Sequence, residues 1–208
     1  LDRAVSRLVL ASGSPQRRAI LGDLGLDFEV RVSDVAEQDA GAPRAVAAEN
    51  ARRKALAVAG DGAGELVIGC DTLVATGEQV AAHASSGSAA SVIWGKPVDE
   101  AAARATLRHL SGRTHEVVSA LALVQDGELR EATEITHVTF RELDSATIDW
   151  YLTTREWDGR AGGYAIQGRG AVLINRIEGD YLNVVGLPVA ALLALEPHLQ
   201  RDFAARAR

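Results

Sequence analysis

The segment Leu8-Val-Leu-Ala-Ser-Gly-Ser-Pro-Gln-Arg-Arg18 constrains the fold more than any other part of the chain. A short apolar run, a Gly/Ser turn and an abrupt helix start follow one another directly. In an α/β layer structure, a buried strand hands over to a helix in this way. Ser14 suits an N-cap, and Pro15 suits the first helical position, where a missing N–H removes nothing. Arg17 and Arg18 then fall in the first turn, at the positive end of the helix dipole. Each cation there is disfavoured by roughly 0.3–1 kcal/mol. An anion at the same place reverses the sign. Free backbone N–H groups, the hydroxyls of Ser12 and Ser14 and two guanidiniums together suit a polyphosphate. With the site empty, Arg17 is expected to add nothing to stability. The competing reading is a surface turn with two solvated arginines.

The rest of the chain alternates between the two periodicities. Residues 8–12 read as a strand, 15–25 as a helix, and 28–33 as a strand. Residues 42–59 form an alanine-rich helix. The run Leu66–Cys70 reads as a buried strand that ends at Asp71. Residues 81–91 are small and polar, as in a loop. A helix over 99–110 has Asp99 as its cap. The β runs 114–124 and 135–140 meet through a turn at Gly127, as an antiparallel hairpin. A helix over 145–154, a glycine-rich loop over 159–170, and strands over 171–177 and 180–185 broken at Gly179 follow. Pro188 starts a last helix that stops before Pro197. Helices interspersed with strands, some of which must pair antiparallel, predict an α/β fold with a mixed sheet. At 208 residues and 47% hydrophobic the chain can bury a sizeable core, and residues 1–208 are expected to form one domain.

A net charge of −6 argues against nucleic acid as a partner. A basic site in an acidic chain points instead to a small anion. Cys70 is the single cysteine, so there is no disulfide framework. No apolar run approaches the roughly 20 residues a bilayer span needs, and no signal-peptide core is seen. A cytoplasmic enzyme or binding protein is expected. There is no Walker loop, no dinucleotide-binding glycine motif after a strand and no nucleophile elbow. The histidines lack metal-ligand spacing, and His115 reads as a half-buried strand residue.

Three features carry chemistry. A carboxylate at the carboxyl end of a strand, as read for Asp71, is where α/β proteins place ligands. Glu37 follows another strand, and the two carboxylates together can hold Mg²⁺ against phosphate oxygens. Asp34 and Asp39 read as solvated neighbours. Of the 22 basic residues only Lys54 and Lys96 are lysine. In so arginine-rich a chain, each lysine either survives by chance or marks a place where a point charge serves and a planar fork does not. Lys54 adjoins Arg52 and Arg53, an arrangement that more often means a solvated face. Lys96 sits in the turn Gly95-Lys-Pro97. With Arg17, the two lysines would offset charge developing on a leaving phosphate group.

These landmarks, in order from Leu8 to Leu193, resemble the Maf family of nucleoside triphosphate pyrophosphatases, related in fold to the inosine-triphosphate pyrophosphatases. They are Ala11-Ser-Gly-Ser-Pro15 with Arg17, Glu37, Lys54-Ala55, Cys70-Asp-Thr72, Gly95-Lys-Pro97, Ser111-Gly-Arg-Thr-His115, Ala161-Gly-Gly-Tyr-Ala-Ile-Gln-Gly168 and Val185-Gly-Leu-Pro188. The resemblance implies an elongated mixed sheet flanked by helices, with two lobes around a central cleft, often as a homodimer. It implies cleavage of nucleoside triphosphates between the α and β phosphates, dependent on a divalent metal (Mg, Mn or Co). Asp71 and Glu37 would be the metal ligands, with Asp71 also a base for the attacking water. Ser12, Ser14, Arg17, Lys54 and Lys96 would grip the phosphates.

Substrate choice in that family tracks the positions of Gln16, Thr72 and Gln167. Arg, Thr and Gln go with dTTP, UTP and CTP, whereas Trp, Gln and Glu go with 7-methyl-GTP. Thr72 and Gln167 agree with the pyrimidine branch, and Gln16 agrees with neither. Ala36 also departs from the family, standing where many members carry an acid. The alternatives are a 7-methyl-GTP pyrophosphatase and a non-catalytic nucleotide-binding regulator of cell division.

Overall fold

The computed structural model describes residues 7–60, 62, 64–77 and 91–200. Its opening segment follows the spacing of the sequence: β1 (Arg7–Leu10) runs into α1 (Pro15–Asp23), with Ser14 as the N-cap and Pro15 at the helix start. Then come β2 (Glu29–Val30), α2 (Pro43–Val58), β3 (Glu65–Thr76) and β4 (Val92–Trp94). They are followed by α3 (Glu100–Leu110), β5 (Thr114–Gln125), β6 (Glu128–Phe140) and α4 (Ser145–Thr153). The chain then runs through two 3₁₀ turns, β7 (Ile174–Glu178), α5 (Tyr181–Val185) and α6 (Val189–Leu195). The loop read over 81–91 lies outside the described residues except for Ser91. No helix among the described residues is long and apolar enough to cross a membrane.

All seven strands belong to one sheet, in the order β2-β1-β3-β5-β6-β7, with β4 beside the far part of β3. β1 pairs in parallel with β2 and β3, whereas β3, β5, β6 and β7 pair antiparallel. The mixed α/β sheet is the expected one. Its longest hairpin, β5–β6, closes through Asp126 (φ 50°) and Gly127 (φ 77°), with Gln125 opposite Glu128. Positive φ at both turn residues gives the turn the same twist as the strands it joins.

Three local expectations are corrected. β3 does not end at Asp71; it continues to Thr76, held by β5 from Leu66 to Ala75. What ends is its parallel neighbour, since β1 makes its last pairing at Leu10 with Ile68. Asp71 therefore lies mid-strand, beside a gap left by a shorter strand. Residues 180–185 form a helix, not a strand. Asp180 caps it through a 2.7 Å hydrogen bond from Leu182 N, and buried Asn183 anchors it to Val117 O and Thr136 Oγ1. These tertiary contacts override the strand preference of Val184 and Val185. The strand read over 28–33 shrinks to two residues, because beyond Arg31, whose N–H still reaches Leu10 O, pairing with β1 stops.

The sheet sorts its side chains by parity. On one face Leu66, Ile68 and Cys70 of β3 join Leu121 and Leu123 of β5 in a core with α1 and α6. Further along the same face Val74 and Val117 join a second core with α3, α4 and Trp157. Between the two cores that face presents a polar pair, Thr72 opposite Ser119. Burying a large apolar side chain contributes about 1.5–3 kcal/mol, so replacing one layer of it by hydroxyls creates a seam. On the other face Ala47, Ala51 and Ala55 of α2 lie on Val67, Val118, Ala120 and Ala122. A Cβ at Gly69 would collide with Ala51 O and come within 2.8 Å of Ala55 Cβ. Glycine there lets α2 lie directly on β3, which brings the polar side chains of α2 to Asp71.

Candidate active site

Asn50 and Lys54 stand one helical turn apart on the sheet side of α2, the spacing that puts two side chains on one face. Lys54 Nζ is 2.6 Å from Asp71 Oδ1 and 2.5 Å from Glu37 Oε1. Its side chain is 9% exposed, whereas Arg52 and Arg53 are 41% and 42% exposed and pair with Glu49 and Glu131. The solvated face expected of this basic run holds for the two arginines and fails for the lysine. Fully buried Asn50 is a residue that reading the sequence missed. Its Nδ2 donates to Asp71 Oδ2 (3.0 Å) and to Gln38 O (2.9 Å), and its Oδ1 accepts from Gln38 N (2.8 Å). One carboxamide thus ties the Glu37 loop to Asp71. The signal was its i, i+4 relation to Lys54.

Burial pushes the Glu37 carboxyl up. The hydrogen bond from Lys54 and the charges of Lys54, Lys96 and Arg17 outweigh it and hold the group below its usual range. Lys96, exposed on the turn after β4, and Arg17 therefore act on the same carboxylate. Arg17 is buried and donates to Gly186 O (2.8 Å), Ser12 Oγ (3.0 Å) and Thr72 Oγ1 (3.1 Å). Gly186 is the C-cap of α5, so the cation at the start of α1 also sits at the negative end of another helix. These contacts run against the expectation that Arg17 adds nothing without an anion, since the protein itself supplies three acceptors. Arg18 is exposed and separates from it.

Ser12 Oγ accepts from Ser14 N as well, and Thr72 Oγ1 shares a 2.8 Å hydrogen bond with Ser119 Oγ. Ser14 Oγ donates to Gln16 Oε1. Ser12, Ser14, Gln16, Arg17, Glu37, Lys54, Asp71, Thr72, Lys96 and Gln167 line one cleft of about 620 Å³ along the polar seam of the sheet. That volume is typical of a small-molecule site. Cys70 is buried beside it, with burial pushing its thiol up.

Residues of the segment 159–167 also line the cleft. Gly162 N donates to Gly95 O, and Ala165 N donates to Tyr151 Oη. Tyr164 Oη meets His115 Nε2 at 2.8 Å. His115 is fully buried, not half-buried as expected, because Tyr164 and Phe140 enclose it edge-on. Burial pushes its pKa down to about 3, and its Nδ1 has no hydrogen-bond partner among the described residues. Arg160 in this segment also escaped the reading of the sequence, since nothing in its local pattern sets it apart from other arginines.

Glu37 Oε1 and Asp71 Oδ1 converge on one point, which the Lys54 ammonium holds. Two hard anionic oxygens fit a small divalent cation such as Mg²⁺, which takes one or two carboxylates and completes its shell with water and phosphate. Among the described residues no group of three or more His, Cys, Asp or Glu side chains can hold a metal ion by itself. Glu37 and Asp71 would hold the ion, and the anionic substrate would complete its shell.

Comparison with known proteins bears on this arrangement. The family model "Maf-like protein" matches residues 7–196. The dTTP/UTP pyrophosphatase of Pyrococcus furiosus is 40% identical over 193 residues, covering 92% of this chain and 94% of that protein. The dTTP/UTP pyrophosphatase of Deinococcus radiodurans is 42% identical over 190 residues, covering 91% of each. The solved structure of the Staphylococcus aureus Ham1 protein is 17% identical, with a TM-score of 0.42, covering 65% of this chain and 72% of that one.

Proposed function

This chain belongs to the Maf family, and we propose that it is a dTTP/UTP pyrophosphatase, which hydrolyses these nucleotides to the monophosphate and pyrophosphate. The observation that carries the reading is the convergence of Glu37, Lys54 and Asp71 in one cleft with Arg17 and Lys96 on its walls. Water attacks the α phosphorus, the bond to the bridging oxygen of the β phosphate breaks, and pyrophosphate leaves with the electron pair.

Asp71, oriented by Asn50 through Oδ2, accepts the proton of the attacking water. Glu37 and Asp71 would hold a divalent cation (Mg, Mn or Co), which would supply positive charge to the phosphate oxygens. Lys54 and Lys96 offset the charge that develops on the leaving pyrophosphate. Arg17 uses three N–H donors on the protein; a guanidinium has five, so two remain for a phosphate. Ser12 and Ser14 shape the turn beneath it. Thr72 acts on the substrate through Arg17, and base recognition falls to Gln16 and Gln167 at the rim. Gln167 offers both a donor and an acceptor to a pyrimidine edge. On this reading the substrates are the free nucleotides of the cytoplasm.

The test is kcat/KM over dTTP, UTP, CTP, ATP, GTP and 7-methyl-GTP with Mg²⁺, Mn²⁺ or Co²⁺, reading pyrophosphate release. dTTP and UTP should lead. A maximum at 7-methyl-GTP would overturn the substrate. Tight binding without turnover of any nucleotide would overturn the enzyme reading in favour of a regulator.

A further inference from the structure

The two lysines of the cleft are held very differently. Lys54 is clamped between two carboxylates. Lys96 is exposed on the turn after β4, and its ammonium makes no hydrogen bond or ion pair among the described residues. β4 is only three residues long, and Val98, just past the turn, is exposed. With so long a side chain free, the place of the Lys96 charge depends on how firmly its backbone is held. Ahead of the turn, Trp94 Nε1 donates to Thr76 Oγ1 (2.9 Å), and its ring lies 4.4 Å from that of His109. At the turn itself, Gly162 N–H donates to Gly95 O at 3.1 Å. That carbonyl belongs to the peptide unit whose nitrogen is Lys96 N.

The partner of that carbonyl is built for close approach. Gly162 and Gly163 both take a left-handed backbone, with φ of 70° and 66°. A Cβ at Gly162 would come within 2.8 Å of Val74 Cγ2, and one at Gly163 within 3.0 Å of Pro97 Cγ. Glycine lets the chain turn here and lie against both Val74 and Pro97. The segment is anchored on its far side. Gly163 N donates to Arg160 O (3.0 Å), and Ala165 N to Tyr151 Oη (3.0 Å). Tyr164 Oη meets His115 Nε2, and Glu156 accepts from Arg169 N and Gly170 N. Tyr151, Tyr164 and His115 are buried, so the turn that carries Lys96 rests on a fixed frame.

Resting on the reading of Lys96 as a group that offsets charge on the leaving pyrophosphate, we infer that Gly162 and Gly163 are positioning residues for Lys96. They seat the 95–97 turn on the buried Tyr151, Tyr164 and His115, and so hold the ammonium ready before charge develops. Lys54 and Lys96 are the chain's only lysines, so ¹⁵N-lysine labelling gives one amide peak for each, assigned with Lys96→Gln. The Lys96 peak reports the peptide that accepts from Gly162, and the Lys54 peak is the control. Gly163→Ala should move the Lys96 peak and leave that of Lys54 in place. Tyr151→Phe removes only the hydroxyl on Ala165 N. It should move the Lys96 peak by less, and it decides the matter if Gly163→Ala does not fold. A Lys96 peak that stays put in the folded variants, or a Lys54 peak that moves as far, overturns the inference. Turnover reads the consequence. In Gly163→Ala, kcat on dTTP should fall at least ~5-fold with KM changed less than ~2-fold, and in the Lys96→Gln background the same substitution should cost less than ~2-fold. Losses that multiply would make the glycine merely structural and overturn the inference. Wild-type protein without turnover would overturn the functional reading instead, and the amide peaks would still decide this one.

Discussion

On the wall formed by β1, α2 and β3, cations sit among oxygens. Lys54 lies between two carboxylates, and Arg17 among two hydroxyls and a carbonyl. Elsewhere on the cleft lining, residues 159–167 are held by backbone hydrogen bonds, a buried tyrosine and a buried histidine, while the Arg160 and Gln167 side chains have no hydrogen-bond partner among the described residues. The difference follows from what each end must do. Charge develops at the phosphates, so groups there gain most from being oriented before substrate arrives. On the proposed function, the base would be recognised by donors and acceptors that remain open until it binds.

The comparison breaks most directly at Asp71. Asp71→Asn should lower kcat by roughly 10²–10⁴-fold, the scale of lost acid–base and charge effects. The amide retains the volume, and Lys54 keeps Glu37, so the variant should stay folded. Near-normal turnover by steady-state assay in a folded variant would remove Asp71 from the chemistry.

Next in size is Lys54→Arg. The slot between Glu37 and Asp71 is matched to an ammonium, and a guanidinium is wider. Turnover should fall more than ~10-fold, about 1.4 kcal/mol in the barrier. A variant equal to wild type would mean that this wall supplies only net charge. Binding of Mn²⁺ without nucleotide, followed by electron paramagnetic resonance, sharpens the point. Lys54→Ala should bind it more tightly, because the two carboxylates are left facing each other without their cation.

The support of residues 159–167 is probed by pH. His115 is neutral in the fold, with a pKa lowered from 6.5 to about 3 by burial. Below pH 6.5 the unfolded chain binds a proton that the native chain refuses, so stability rises with pH between about 3 and 6.5 and is lost as pH falls through that window. The slope approaches about 1.4 kcal/mol per pH unit within it. Chemical denaturation at a series of pH values should show a flatter profile for His115→Phe than for wild type. Parallel profiles would show that His115 is not what titrates.

The smallest expected effect is on the stability of Arg17→Ala. Three hydrogen bonds vanish, two of them buried, for a loss of about 1–3 kcal/mol and a Tm lower by roughly 2–4 °C per kcal/mol. Turnover should fall as well. An unchanged or higher Tm would restore the view that Arg17 merely awaits an anion.

Much of the architecture was legible in the sequence because it is written locally, whereas the candidate site residues came largely from the resemblance to the Maf family. Ser14-Pro15, the Asp99 cap, the turn at Gly127 and the period-2 runs of β5 and β6 each depend on neighbours in sequence. The ten side chains singled out as site residues, from Ser12 to Gln167, do line one cleft. The errors arose where a distant partner decides. Asp71 reads as a strand end because an apolar run stops there, yet β5 carries the strand on. Residues 180–185 look like a strand by composition, yet Asp180 and Asn183 make them a helix.

Sequence alone therefore determined which chemical groups are present and in what local conformations most of them are offered. Only the tertiary structure decided which charges are paired and which are open. Lys54 and Arg53 are adjacent in sequence and indistinguishable by type of neighbour. One is drawn between Glu37 and Asp71, and the other points outward to Glu49, because Gly69 lets α2 lie flat on β3 with only one of them facing the sheet. Likewise, Arg17 and Arg160 are both arginines beside glycine- or serine-rich turns. The end of α5 supplies the first with a carbonyl, and no described residue supplies the second with an acceptor. Electrostatic energy depends on distances and desolvation that long-range packing sets. For these side chains, the order of residues is silent until the sheet is assembled.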